Sequence, residues 1–358
     1  MNKTEGTRKI RFELTYMNIF CALLVIFIHC ASVLIGETNK SDRAFNLIFA
    51  PWRFSSFVVP AFIFLSGVKT FLGGRKINYF KFYKGRITRV ILPYMLWVTI
   101  FYIYFINHHY FNFSWQGLFH AWYRGDLAGH FYFVIIILQF YILVPLWSFV
   151  LRRLNPGIGI AFSILFSMVL GYSLTYIWEI FFPGSAFPYD DIIFTKYLPY
   201  WTAGCYIGMN YDKATDAILR NKLFITLIFL SGATLDIHLG YRTYSTVALW
   251  MDNVHMLYCA AAVLFFFMLF TWICGRKTKV SWLTKALDAE SYNIYLSHCL
   301  IVIWLNDFLL AERGITSVIS RFIWVVAATY IVSILFWLLW YFIKTSVRIV
   351  VKRHREYE

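Results

Sequence analysis

Long apolar runs separated by short basic segments set the pattern of this chain. The first run, residues 16–35 (YMNIFCALLVIFIHCASVLI), holds no charged side chain. At 1.5 Å per residue a helix of that length crosses the roughly 30 Å of a bilayer's hydrocarbon core. Comparable runs recur at 55–72, 90–107, 130–150, 157–178, 195–209, 223–239, 254–274, 291–310 and 318–343. The run at 195–209 is short and interrupted by Pro199. This pattern predicts an all-α fold, a polytopic membrane helix bundle with about ten transmembrane helices. An even count puts both termini on one face. Basic residues gather in the segments of that face: Lys3, Arg8, Lys9 and Arg11; Arg75, Lys76, Lys81, Lys84, Arg86 and Arg89; Lys344, Arg348, Lys352, Arg353 and Arg355. The positive-inside rule makes the face cytoplasmic. The expected organisation is a cytoplasmic N-terminal segment (1–15), one transmembrane domain (16–343) and a basic cytoplasmic tail (344–358). The first run exceeds a signal-peptide core and lacks a small-x-small cleavage site, so it is expected to be retained.

Composition agrees with this reading. Of 358 residues, 60% are hydrophobic and only 14% charged, well below the quarter or so of ordinary globular chains. The net charge of +15 would suggest nucleic acid in a soluble protein, but here the basic residues serve topology, and no nucleic-acid partner is expected. Six cysteines (Cys21, Cys30, Cys205, Cys259, Cys274, Cys299) fall in or at the ends of apolar runs, without a CxxC pair. That supports neither a disulfide framework nor a metal site; they read as buried small apolar residues.

The polar exceptions carry the candidate chemistry. His29 lies within the first run, where an ionisable group costs a few kcal/mol and so marks a functional candidate. Asn18 and Arg11 fall on nearly the same helical stripe. Arg86 and Arg89, three apart ahead of Pro93, suit phosphate capture through planar guanidinium forks, or equally lipid headgroups. In the second run, VVPAFIFLSG, Ser66 offers a hydroxyl to a neighbouring helix. His130 opens the fourth run and Gln139 sits in its middle; Gly204 and Gly208 in the sixth allow close helix approach. The ninth reads SYNIYLSH, placing Tyr292, Tyr295 and a second buried-run histidine, His298, on one helix. Residues 36–54, 108–129 and the 179–196 loop read as outward segments mixing aromatics with Glu37, Asp42, Asp126, Asp190 and Asp191. Such mixtures fit either an interfacial aromatic belt or a sugar-binding surface.

Taken in order, these features resemble the acyltransferase-3 family of multispanning bacterial proteins that O-acylate glycans, antibiotics and related acceptors. The resemblance lies in His29 late in the first helix, in VPAFIFLSG, in Arg86-x-x-Arg89…Pro93, in GHFYFVIIILQFYILVPL, in WTAGCYIGM and in SYNIYLSHCLIV. It covers nearly the whole chain and is closest to the stand-alone type without an appended soluble domain. Two positions depart: where the family carries a motif like LDxLR, with its Arg or Lys ten residues or so before the histidine, this chain reads Leu14-Thr15-Tyr16-Met17-Asn18, with Thr15 for the Asp and Asn18 for the Arg.

The resemblance implies acyl-CoA, acetyl-CoA foremost, as a cytoplasmic donor substrate, with no bound cofactor and no metal. It implies a hydroxyl acceptor on a cell-surface glycan or lipid-linked molecule, and residence in the bacterial cell membrane among its lipids. His29 and His298 are the expected catalytic residues, His29 as general base on the acceptor hydroxyl or as a covalent acyl carrier. Arg86 and Arg89 are expected to hold donor phosphates, supported by Asn18, Arg11, Ser66, His130, Tyr292 and Tyr295. The alternatives from other classes are an exopolysaccharide exporter or other transporter without acyl transfer, and a sensing protein without catalysis.

Overall fold

The computed structural model describes residues 11–74, 76–185, 187–246, 248, 250–275 and 281–357. Lys3, Arg8, Lys9 and Arg75 from the topology argument lie outside these residues. The described residues contain helices and no strand. In chain order the helices are α1 (Phe12–Glu37), α2 (Arg43–Ser55), α3 (Val58–Phe71), α4 (Tyr79–Arg86), α5 (Leu92–Asn107), α6 (Trp115–Arg124), α7 (Tyr132–Ile142), α8 (Val144–Leu151), α9 (Pro156–Phe181), α10 (Leu198–Met209), α11 (Tyr211–Arg220), α12 (Lys222–Thr243), α13 (Trp250–Cys274), α14 (Trp282–Asp307) and α15 (Val318–Tyr357).

Every apolar run of the sequence lies on one or more of these helices. Among the described residues, seven helical segments are long and apolar enough to cross a membrane, and eight if the bent pair α7–α8 counts as one span. That pair bends by 57° at Leu143, with Pro145 in the first turn of α8. α10 has 12 residues, so its length of ~18 Å falls short of the hydrocarbon thickness. Two segments expected as outward loops are partly helical. Residues 36–54 contain most of α2, which leads almost directly into α3, and 108–129 contain α6, capped by Ser114 and closed by left-handed Gly125 (φ 66°).

The acids of these segments are largely engaged within the fold. Glu37 pairs with Arg321, Asp190 with Lys196 and Asp191 with Arg124, while Asp42 accepts the backbone N–H of Asn39. Asp126 lies 3.6 Å from His120. These contacts assign most of the acids to holding the segments together.

The core is aromatic and sits between α1, α3, α5, α7, α10, α13 and α14, around Phe64, Phe101, Phe131, Phe140, Trp201 and Phe267. α3 and α10 touch along their backbones. A Cβ at Gly67 would lie 2.8 Å from the Trp201 carbonyl oxygen, and one at Gly208 would lie 2.6 Å from that of Val68. Gly204 abuts the Phe64 carbonyl in the same way, so the small residues at 204 and 208 give the close approach their spacing predicts. By contrast α9, α12 and α15 turn rows of large apolar side chains outward, among them Phe162, Leu223, Phe224, Ile228, Leu335 and Leu339, as lipid-facing helices do. All six cysteines are buried.

Candidate active site

α1 packs against α13, α14 and α15, which places its polar stripe in the protein interior. Near the α1 N-terminus, Asn18 Nδ2 donates to Asp288 Oδ1 and to Ser291 Oγ, both at 2.9 Å, and Thr15 Oγ1 donates to Asp288 Oδ2 at 3.2 Å. The two residues that depart from the family pattern thus act together, as neutral donors clamping one carboxylate from α14.

Asp288 lines a cavity of about 410 Å³ with Asn18, Ser66, Lys69, Arg86, Arg89 and Tyr295. This is within the ~300–1,000 Å³ typical of ligand pockets. Arg86, the last residue of α4, and Arg89, in the π-helical turn Ile87–Ile91 between α4 and α5, both line it. Such turns carry one extra residue and recur at functional sites. Here Tyr292 Oη donates to the Val90 carbonyl at 3.1 Å, tying α14 to the turn. The Arg86 guanidinium lies over the Tyr141 ring, 4.2 Å from its centroid, and Tyr141 in turn shares a 2.7 Å hydrogen bond with Ser66. Ser66 therefore makes the cross-helix bond expected of it. Lys69, one turn further along α3, brings a third cation that the sequence reading missed.

Tyr295 forms the far wall of the cavity, and its hydroxyl donates to the His130 carbonyl. Beyond it three histidines from distant parts of the chain converge. The His29 ring centroid is 5.1 Å from that of His298 and 5.7 Å from that of His130, and the last two are 5.2 Å apart. His298 Nδ1 lies 3.1 Å from the Ile294 carbonyl, which assigns the proton to Nδ1 and leaves Nε2 to accept from Cys299 Sγ at 3.3 Å. His130 donates from Nε2 to the Leu296 carbonyl at 3.2 Å, while its buried Nδ1 has no hydrogen-bond partner among the described residues. His29 has none either.

His29, His298 and Cys299 each bring one ligand-capable atom to within 4.8 Å of the others. Imidazole and thiolate are ligands of borderline metals, and the cysteine spacing along the chain hides this grouping.

Arg11 is not part of this arrangement. It pairs with Asp212 at 2.9 Å and lies 4.4 Å from the Tyr211 ring centroid, at the very start of α1. Eighteen residues separate it from His29, or ~27 Å of helix. It does not stand in for the cation absent at position 18; it fastens α1 to α11.

Apolar spanning helices around a cavity that holds three cations, with imidazoles packed behind its Tyr295, define a multipass membrane protein with an internal site. The comparisons narrow that class. The chain belongs to the family described as Acyltransferase domain (Acyl_transf_3), which matches residues 11–338, and it is accordingly an acyltransferase. Two relatives from Staphylococcus epidermidis, one of them from strain ATCC 35984, are each 25% identical over 304 residues, 82% of this chain and 82% of theirs. Both are called "Probable poly-beta-1,6-N-acetyl-D-glucosamine export protein". No solved structure matches the chain.

Proposed function

We propose that the protein moves an acyl group, acetyl foremost, from acyl-CoA on the cytoplasmic side to a hydroxyl of an extracytoplasmic glycan or similar envelope acceptor. One observation carries this reading: a single cavity holds Arg86, Arg89 and Lys69 and is bounded by Tyr295, whose ring packs against His130 and His298, the two imidazoles in contact with His29. The cations suit the phosphates of a nucleotide-bearing donor, whose long thioester arm extends towards Tyr295. In this reading the basic segments face the cytoplasm, so that the arginines lie at the inner face and His29 past the midplane, where an acceptor from outside meets the donor.

His29, the histidine without a protein hydrogen bond, acts as general base. It takes the acceptor's hydroxyl proton as the new C–O bond forms. The thioester C–S bond breaks, and the proton passes to the departing thiolate, so no charge is left in the site. His298, held by Ile294 and Cys299, and His130, held by Leu296, fix the walls around it. Lys69 supplies the positive charge in the cavity that Asn18 does not.

Mass spectrometry of surface glycan from deleted and complemented strains tests the reading. An acyl mass increment restored by the wild-type gene but not by His29→Ala is the expected result. The names of the relatives favour a second reading, polymer export, for which the deletion strain instead retains polymer inside the cell. A quicker check uses the purified protein. Acyl-CoA is expected to raise its Tm, and Arg86→Ala with Arg89→Ala to remove that rise. No rise at saturating CoA overturns the donor assignment.

A further inference from the structure

A second cavity, of about 290 Å³, opens at the other end of α1. Its walls include Phe49 and Trp52 of α2, Tyr244 beyond α12, and Asp252 of α13, with Arg53 also lining it. The Trp52 indole N–H donates to Ser32 Oγ at 2.9 Å, and Ser32 lies one helical turn past His29. From Asn18 in the first cavity to Ser32 is ~21 Å of helix, so the two cavities flank the histidines from opposite ends.

The chemistry of this cavity is specific. Trp52 and Tyr244 stand edge to face, their ring centroids 6.5 Å apart, and Phe49 packs behind both. Arg53 is already committed. Its Nε and Nη2 clasp the two oxygens of Asp236 at 2.8 and 2.9 Å, and that carboxylate is fully buried. Gly240 makes room for the guanidinium, since a Cβ there would lie 3.1 Å from Arg53 Nε. The cation is thus neutralised and locked, and keeps only outward N–H groups to offer. Asp252 then tips the cavity towards negative charge, with Thr243 and Thr246 adding hydroxyls.

Flat aromatic faces beside fixed hydroxyl-matching donors and acceptors, without net positive charge, suit a pyranose ring that is neutral or carries an amine. They do not suit a uronic or phosphorylated sugar. We infer that this cavity is the saccharide subsite that brings the acceptor to His29, selective for neutral or amino-bearing hexoses. The inference rests on the acyl-transfer reading for which face is outside.

Calorimetry on the full chain in nanodiscs tests it, with a hexamer of N-acetylglucosamine, its de-N-acetylated form and an oligogalacturonate as probes. The two amino-sugar oligomers are expected to bind and the acidic oligomer to bind about tenfold more weakly or not at all. Tyr244→Ala, at a position already 39% exposed, is expected to weaken amino-sugar binding about tenfold. Asp252→Asn is expected to weaken the de-N-acetylated oligomer selectively. Absence of amino-sugar binding, binding unchanged by Tyr244→Ala, or a preference for the acidic oligomer overturns the subsite. Acyl-CoA stabilisation, read on the same samples, separates the two ideas. Donor binding without sugar binding removes the subsite and leaves the acyl-transfer reading. Sugar binding without donor binding does the reverse.

Discussion

Two buried polar clusters sit in this bundle, and they are solved in opposite ways. Around Asp236, every charge is answered: Arg53 clasps both carboxylate oxygens with two N–H groups, and His255 Nδ1 reaches Oδ1 as well, at 3.0 Å. His255 Nε2 in turn meets Cys259 Sγ at 3.5 Å. Around His29 the ledger stays open. Among the described residues one imidazole has no hydrogen-bond partner and a second keeps an orphaned Nδ1, while His298 is held at both nitrogens. Ionisable groups in apolar helices are expensive in either case. A closed network recovers that cost from its own partners and makes a scaffold, whereas an open one leaves capacity for a substrate.

The contrast is sharpest in how each cluster answers mutation. His29→Ala is expected to slow acyl transfer by about 10²–10⁴-fold while the unfolding midpoint in detergent hardly moves. Wild-type turnover in that variant would remove the histidine from the mechanism. Asp236→Ala is expected to do the converse, costing about 3–5 kcal/mol of stability by stranding Arg53, as chemical unfolding would register. Because the pair is closed, Asp236→Leu with Arg53→Met should recover most of that loss. If the single variant unfolds like wild type, the distinction between the clusters collapses. In the first cavity, Lys69→Met is expected to weaken acyl-CoA binding about tenfold, the range of one charge-assisted contact, in a titration of Tm against donor. Unchanged affinity would leave the arginines as the only cations that matter. The smallest effect belongs to Arg11→Ala. Its partner Asp212 has a side chain 74% exposed, so the loss should stay within about 1 kcal/mol and activity should persist. A catalytic defect there would restore Arg11 to the site.

Much of the site was legible because membrane helices make polar residues conspicuous. His29, His298 and Asn18 stand out on that ground, the arginine pair by its spacing ahead of Pro93, and the structure brings His29, His298 and His130 into mutual contact. The same ground extended to residues that were passed over. Lys69 lies inside the run 55–72 and Asp236 inside 223–239, each a charge in an otherwise apolar span. Asp288 was hidden differently, because α14 begins at Trp282, well before the apolar run that marks it. Pairings across helices, such as Arg53 with Asp236, have no local signature, since 183 positions separate the partners. The outer segments were legible only in part for a related reason. Their aromatics and acids read as surface, yet Phe49 is buried and Glu37 is paired with Arg321.

The backbone contact between α3 and α10 bears on how the protein is made. A helix of 12 residues cannot hold itself across a bilayer during synthesis. α10 acquires its place by docking through Gly204 and Gly208 onto a partner that precedes it by more than a hundred residues. Biogenesis of this membrane protein therefore has an order built into it. α3 must be in the bilayer first, and the bundle closes only when the late, short helix is received.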